Sequence, residues 1–124
     1  MLRTTAKQFQ KKPLTNLKKG GILLMIQGTT PTFILTLPNT VDLTGVKNLY
    51  FTLEQGNVKL VKTGEDLSVE GQEISVYLDQ KETLMFASGR ANLQLNWTYD
   101  GGRRACSDIK SVPVGPNLLK EVVS

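Results

Sequence analysis

Ala91-Asn92-Leu93-Gln94-Leu95-Asn96-Trp97-Thr98-Tyr99 runs directly into Asp100-Gly101-Gly102. Leu93, Leu95, Trp97 and Tyr99 alternate with Asn92, Gln94, Asn96 and Thr98, a period of two that fits a strand and no helix face. The stretch therefore predicts a half-buried β-strand. Asp-Gly-Gly predicts a hairpin turn after it, because Gly takes positive φ without a Cβ clash. Arg103 to Lys110 reads as the return strand, extended by Ser111-Val112-Pro113-Val114, with Pro113 marking an edge or a bulge. Gly115-Pro116-Asn117 then breaks the chain. Leu118 to Val123 reads equally as a short helix or a strand.

Upstream, the same alternation recurs. In Thr32-Phe33-Ile34-Leu35-Thr36-Leu37, the residues Phe33, Leu35 and Leu37 share a face, and Pro38-Asn39 ends the run. Val46 to Glu54 places Leu49, Phe51 and Leu53 inward, with Asn48, Tyr50 and Thr52 outward. Gln55-Gly56-Asn57 turns it into Val58-Lys59-Leu60-Val61-Lys62, read as a return strand with its lysines on the wet face. Leu67-Ser68-Val69 is a short strand. Ile74, Val76 and Leu78 share one face of the next. Asp79 followed three places on by Glu82 has the spacing of a capping box, so a short helical turn follows. Leu84, Met85 and Phe86 are expected to fold over the open end of the core.

About seven short strands separated by Gly, Asn and Asp turns, with one short helical crossover, predict an all-β fold. Each strand has one dry face, so two antiparallel sheets must cover one another. The expected architecture is an immunoglobulin-like antiparallel β-sandwich. Its expected core includes Phe33, Phe51, Val76, Leu95 and Trp97.

The charge is unevenly distributed. Residues 1–24 carry Arg3, Lys7, Lys11, Lys12, Lys18 and Lys19 and no acid, while residues 25–124 hold nine basic and eleven acidic side chains, a net of −2. The basic pI near 9.3 thus belongs to the first segment. Residues 1–24 are expected to be a basic, disordered leader or arm, and residues 25–124 a single β-sandwich domain of ordinary size. Nucleic acid is not the expected partner of 25–124. Lys18-Lys19-Gly20-Gly21 can be encoded by AAAAAAGGAGGA, a purine-rich ribosome-binding sequence. Ile22, Leu23 and Leu24 then space it from Met25 as from a start codon, so Met25 is the expected start. The apolar run from Ile22 to Ile26 is too short for a signal peptide or a membrane span.

The chain contains no histidine and a single cysteine, Cys106. That combination excludes Cys/His zinc sites, Ser-His and Cys-His triads and an intrachain disulfide. The eleven acids are scattered, and only Glu65-Asp66 are adjacent. No catalytic, cofactor-binding or metal residues are predicted, and no cofactor. Two features invite a binding reading. Trp97, Tyr99, Tyr50 and Tyr77 would supply a sugar-stacking face if they met, although core packing is the expectation for Trp97. Arg103-Arg104 beside the Gly-rich turn suit an acidic partner or a phosphate, but strand neighbours point opposite ways and a solvated pair is the expectation.

Several short motifs carry a family resemblance. These are Gly28-Thr29-Thr30-Pro31-Thr32 before the strand Phe33 to Pro38, Glu70-Gly71-Gln72 before Ile74-Ser75-Val76, Asp79-Gln80 before Glu82-Thr83, and the strand closed by Asp100-Gly101-Gly102. Over residues 25 to about 115 the chain resembles a small virion protein of tailed phages and prophages of Gram-positive bacteria. It is also similar to the immunoglobulin-like N-terminal domain of upper-baseplate proteins. The resemblance implies a non-enzymatic structural subunit of a tail or baseplate, assembled in the bacterial cytoplasm. Its implied partners are other virion proteins and further copies of itself within the particle, with no membrane. Two alternatives share the fold: a carbohydrate-binding or host-adhesion module, and a capsid-decoration protein.

Overall fold

The computed structural model describes residues 15–16 and 24–124; the rest of the expected arm, 1–24, lies outside the described residues. Ten strands are described: β1 Thr15–Asn16, β2 Met25–Ile26, β3 Thr32–Thr36, β4 Val46–Gln55, β5 Val58–Thr63, β6 Leu67–Glu70, β7 Glu73–Tyr77, β8 Gly89–Tyr99, β9 Arg104–Cys106 and β10 Lys110–Gly115. One short helix, α1 Gln80–Leu84, joins β7 to β8. The strands form two sheets, ordered β1-β3-β7-β6 and β2-β10-β8-β4-β5, with β9 also on β8. β2 runs parallel to β10, and the other described pairings are antiparallel. Four strands facing a larger sheet is the arrangement of an immunoglobulin-like sandwich. The fold is therefore the predicted all-β sandwich. The added strands are the two-residue β1 and β2, and a division of the predicted Arg103–Val114 strand. Among the described residues no helix is long and apolar enough to cross a membrane.

The alternation seen in sequence sets the core. Phe33, Leu35, Phe51, Leu53, Ile74, Val76, Leu93, Leu95 and Trp97 are all buried, and each belongs to the apolar phase of its strand. The rings of Phe33 and Phe51 meet across the two sheets at 6.2 Å between centroids, tilted by 50°. Around the outside, the β8 strand shows its amides and hydroxyls.

Three expectations need correction. Lys59 and Lys62 are three residues apart, so a strand sends them to opposite faces. Lys59 is outward beside Glu54, 3.8 Å away, while Lys62 turns inward and its Nζ meets Glu82 Oε2 at 2.8 Å, with the lysine side chain only 13% exposed. Val61 takes the exposed position instead. The second correction concerns the return strand. Cys106 faces Asn96 and Lys110 faces Leu93, so four steps on one strand match three on the other. One extra residue makes a bulge over 107–109, not at Pro113. Pro113, opposite Arg90, lies just before the pairing with β2 begins at Val114, an edge position that needs no N–H donor. Third, Phe86 does plug the end of the core and Leu84 is half-buried, but Met85 stays exposed. Residues 116–124 form neither helix nor strand.

The helix start is as the spacing predicted. Asp79 Oδ1 accepts from the Glu82 N–H at 2.8 Å, and Glu82 Oε1 accepts from the Asp79 N–H at 2.9 Å. Glu82 thus holds both the helix cap and Lys62 of the opposite sheet, tying the crossover to β5.

Candidate functional site

At one end of the sandwich the chain crosses from β3 to β4, and at the same end β8 turns into β9. Between these connections lies a half-open cleft of about 830 Å³. Residues 40–45 form one wall, Tyr99 to Ala105 the other, and Trp97 and Val41 lie beneath. Cleft volumes of about 300–1,000 Å³ are typical of ligand sites.

Local rules shape both walls. Asp42 caps the 3-10 turn Leu43–Gly45: its Oδ1 accepts from the N–H of Thr44 at 3.1 Å and from the Thr44 hydroxyl. The Thr44 hydroxyl, and next its backbone N–H, stabilise the carboxylate and hold Asp42 below its ordinary pKa of 3.8. On the other wall, Gly101 and Gly102 have φ of 87° and 84°, which a residue with Cβ rarely adopts. The turn is closed by the Tyr99 N–H donating to Arg103 O at 2.9 Å. Trp97 is fully buried, and its indole N–H donates to the Tyr99 hydroxyl at 3.0 Å. Arg103 lies over the Tyr99 ring at 5.3 Å from the centroid, a cation–π contact that holds the ring in place. Arg104 also lines the cleft, and its guanidinium donates to Asn96 Oδ1 at 3.0 and 3.3 Å. The two arginines thus take different partners, Arg103 the Tyr99 ring and Arg104 the Asn96 amide.

Of the four aromatics only Trp97 and Tyr99 meet. Trp97 is in the core, Tyr50 is on the outer face of the six-stranded sheet opposite Asn96, and Tyr77 is exposed on the outer face of the other sheet. Only Tyr99 reaches the cleft with part of its surface open. Cys106 sits half-buried opposite Asn96. Among the described residues no three His, Cys, Asp or Glu side chains converge as metal ligands would.

The opposite end is organised by amides that sequence reasoning missed. Gln27 is buried; its Nε2 donates to Phe86 O at 2.7 Å and its Oε1 accepts from the Asn117 N–H at 3.3 Å. Asn117 Nδ2 returns a bond to Gln27 O at 3.0 Å. Gln80 clasps Val123 from both sides, Nε2 to O and Oε1 from N–H, each at 2.8 Å. Residues 117–123 are thereby laid along the crossover, while Leu118, Leu119, Val122 and Val123 remain exposed. A polar residue inside the apolar opening Met25-Ile26-Gln27 was the available signal. Its partners are 59 and 90 residues away, beyond any local pattern.

No protein-family model matches this sequence, and no curated protein does. Among solved structures, fibronectin(III)-like modules of Clostridium thermocellum CbhA align with a TM-score of 0.50 and 16% identity, covering 86% of this chain and 99% of that one. The titin M4 module aligns with a TM-score of 0.41 and 8% identity, covering 87% and 99%. The likeness to the CbhA modules shows the shared sandwich fold.

Proposed function

We propose that this chain is a non-enzymatic interaction subunit of a phage particle, an accessory protein of the tail or baseplate. The observation that carries the reading is the strip of apolar side chains over residues 118–123. Leu118, Leu119, Val122 and Val123 are all exposed, yet Gln27, Asn117 and Gln80 hold their backbone in a defined path. Ordered apolar surface left uncovered marks a protein contact. The sequence resemblance over residues 25 to about 115 supplies the setting, and the sandwich supplies a rigid body to present the strip. In this reading the covering partner is another virion protein, and copies of the chain repeat one contact by symmetry around the particle. The place of the protein is then the virion, after assembly in the host cytoplasm.

The test is mass spectrometry of gradient-purified virions combined with cross-linking. The expected result is this chain present in fixed ratio to the other structural proteins, with cross-links from Lys120 to a neighbouring subunit. Abundance in the infected lysate with absence from purified particles overturns the proposal.

A further inference from the structure

The cleft between residues 40–45 and the β8–β9 turn presents opposite charges that do not neutralise one another by contact. Asp42 spends Oδ1 on Thr44 and keeps Oδ2. Asp100 and Arg103 make no ion pair among the described residues. The Tyr99 hydroxyl accepts the Trp97 N–H and still has its own proton to donate. Beneath these groups lies the half-buried Ala105, with Val41 and Trp97 closed over behind it.

An anion would use Arg103 and meet repulsion from Asp42 and Asp100. A cation would meet the reverse, since Arg103 already covers Tyr99. A hydroxyl group both donates and accepts, so it can satisfy a carboxylate and a guanidinium side by side. A pyranose ring adds an apolar C–H face that suits Ala105 and the open part of Tyr99, both half-buried. From this we infer that the cleft binds a neutral saccharide, with Asp42 and Asp100 accepting from its hydroxyls, Arg103 donating to them, and the half-buried Ala105 and the open part of Tyr99 against its C–H face. The inference is independent of the particle assignment, which rests on the opposite end of the sandwich.

Gly45 provides a probe that leaves the fold intact. A Cβ there would lie 3.7 Å from Asp42 Oδ2 and 3.8 Å from Tyr99 Cδ1, ordinary contact distances. Gly45→Ala therefore fills the notch between the two groups without displacing them. The experiment is an amide NMR titration of the full chain with the methyl glycosides of glucose, galactose and N-acetylglucosamine, and with their β-linked dimers. At least one glycoside is expected to give saturable shifts at residues 40–45 and 99–105. Asp100→Asn is expected to weaken that binding about tenfold, the weakening of one hydrogen bond to a charged group, and Gly45→Ala by a similar factor, because its methyl occupies the space a sugar hydroxyl needs beside Asp42 Oδ2. Tyr77→Ala, on the far sheet, is expected to leave it unchanged. The inference is overturned if no glycoside saturates, if inorganic phosphate or acetate shifts the same amides when the glycosides do not, or if folded Gly45→Ala binds as well as the parent.

Discussion

Replacing Ser107 by Ala removes one oxygen atom from a fully buried position and should destabilise the protein more than most core truncations of that size. The bulge over 107–109 shifts the strand by one residue, so the Leu95 N–H no longer meets a backbone carbonyl. The Ser107 hydroxyl stands in: its Oγ accepts from the Leu95 N–H at 3.0 Å and its proton goes to Asp108 O at 2.7 Å. The Ser107 N–H still donates to Leu95 O at 2.8 Å, a bond alanine keeps. Orphaning a buried donor costs about 1–3 kcal/mol, and losing the second bond about 0.5–1.5 kcal/mol. The sum is about 1.5–4.5 kcal/mol, which for a domain of this size lowers Tm by roughly 6–36 °C. Urea unfolding followed through the fluorescence of Trp97, the sole tryptophan, measures it, with an unchanged m-value expected. Ser111→Ala is the control, because that exposed hydroxyl only accepts from Arg90 Nε, and its loss should stay within about 0.5 kcal/mol. A Ser107→Ala protein as stable as the control would refute the hydroxyl's role in the bulge.

Trp97→Ala should cost about 3–5 kcal/mol by emptying a large core site; a chemical-denaturation midpoint near that of the parent would mean the indole is dispensable to the core. Asp79→Ala should cost about 1 kcal/mol through loss of the helix cap, and Glu82→Ala should cost more by thermal melting, since Glu82 also binds Lys62. Asp42→Asn tests the depressed carboxyl. A group whose folded pKa lies below its unfolded value of 3.8 stabilises above that value and ceases to as pH falls through the folded one. The stability gap between parent and Asp42→Asn should thus be full at neutral pH and close in strong acid; a gap that widens on acidification contradicts the assignment.

The strands, the core and the cap of α1 were legible in the sequence because each depends on near neighbours. Side chains alternate every residue along a strand, so Leu93, Leu95 and Trp97 declare a buried face wherever their strand pairs. Asp79 and Glu82 declare a helix start within four residues. Lys62 shows the limit of that reading. The period of two sends it to the face opposite Lys59, against the expectation that both lysines are wet, and its partner, Glu82, could not be named before the crossover was placed. The bulge at Ser107, the clasp of Gln27 and Gln80 on residues 117–123, and the cleft shared by Asp42 and Tyr99 were decided by the tertiary structure alone. Each joins groups at least twelve residues apart, and such meetings depend on register and on how the two sheets stack, which no local alternation encodes.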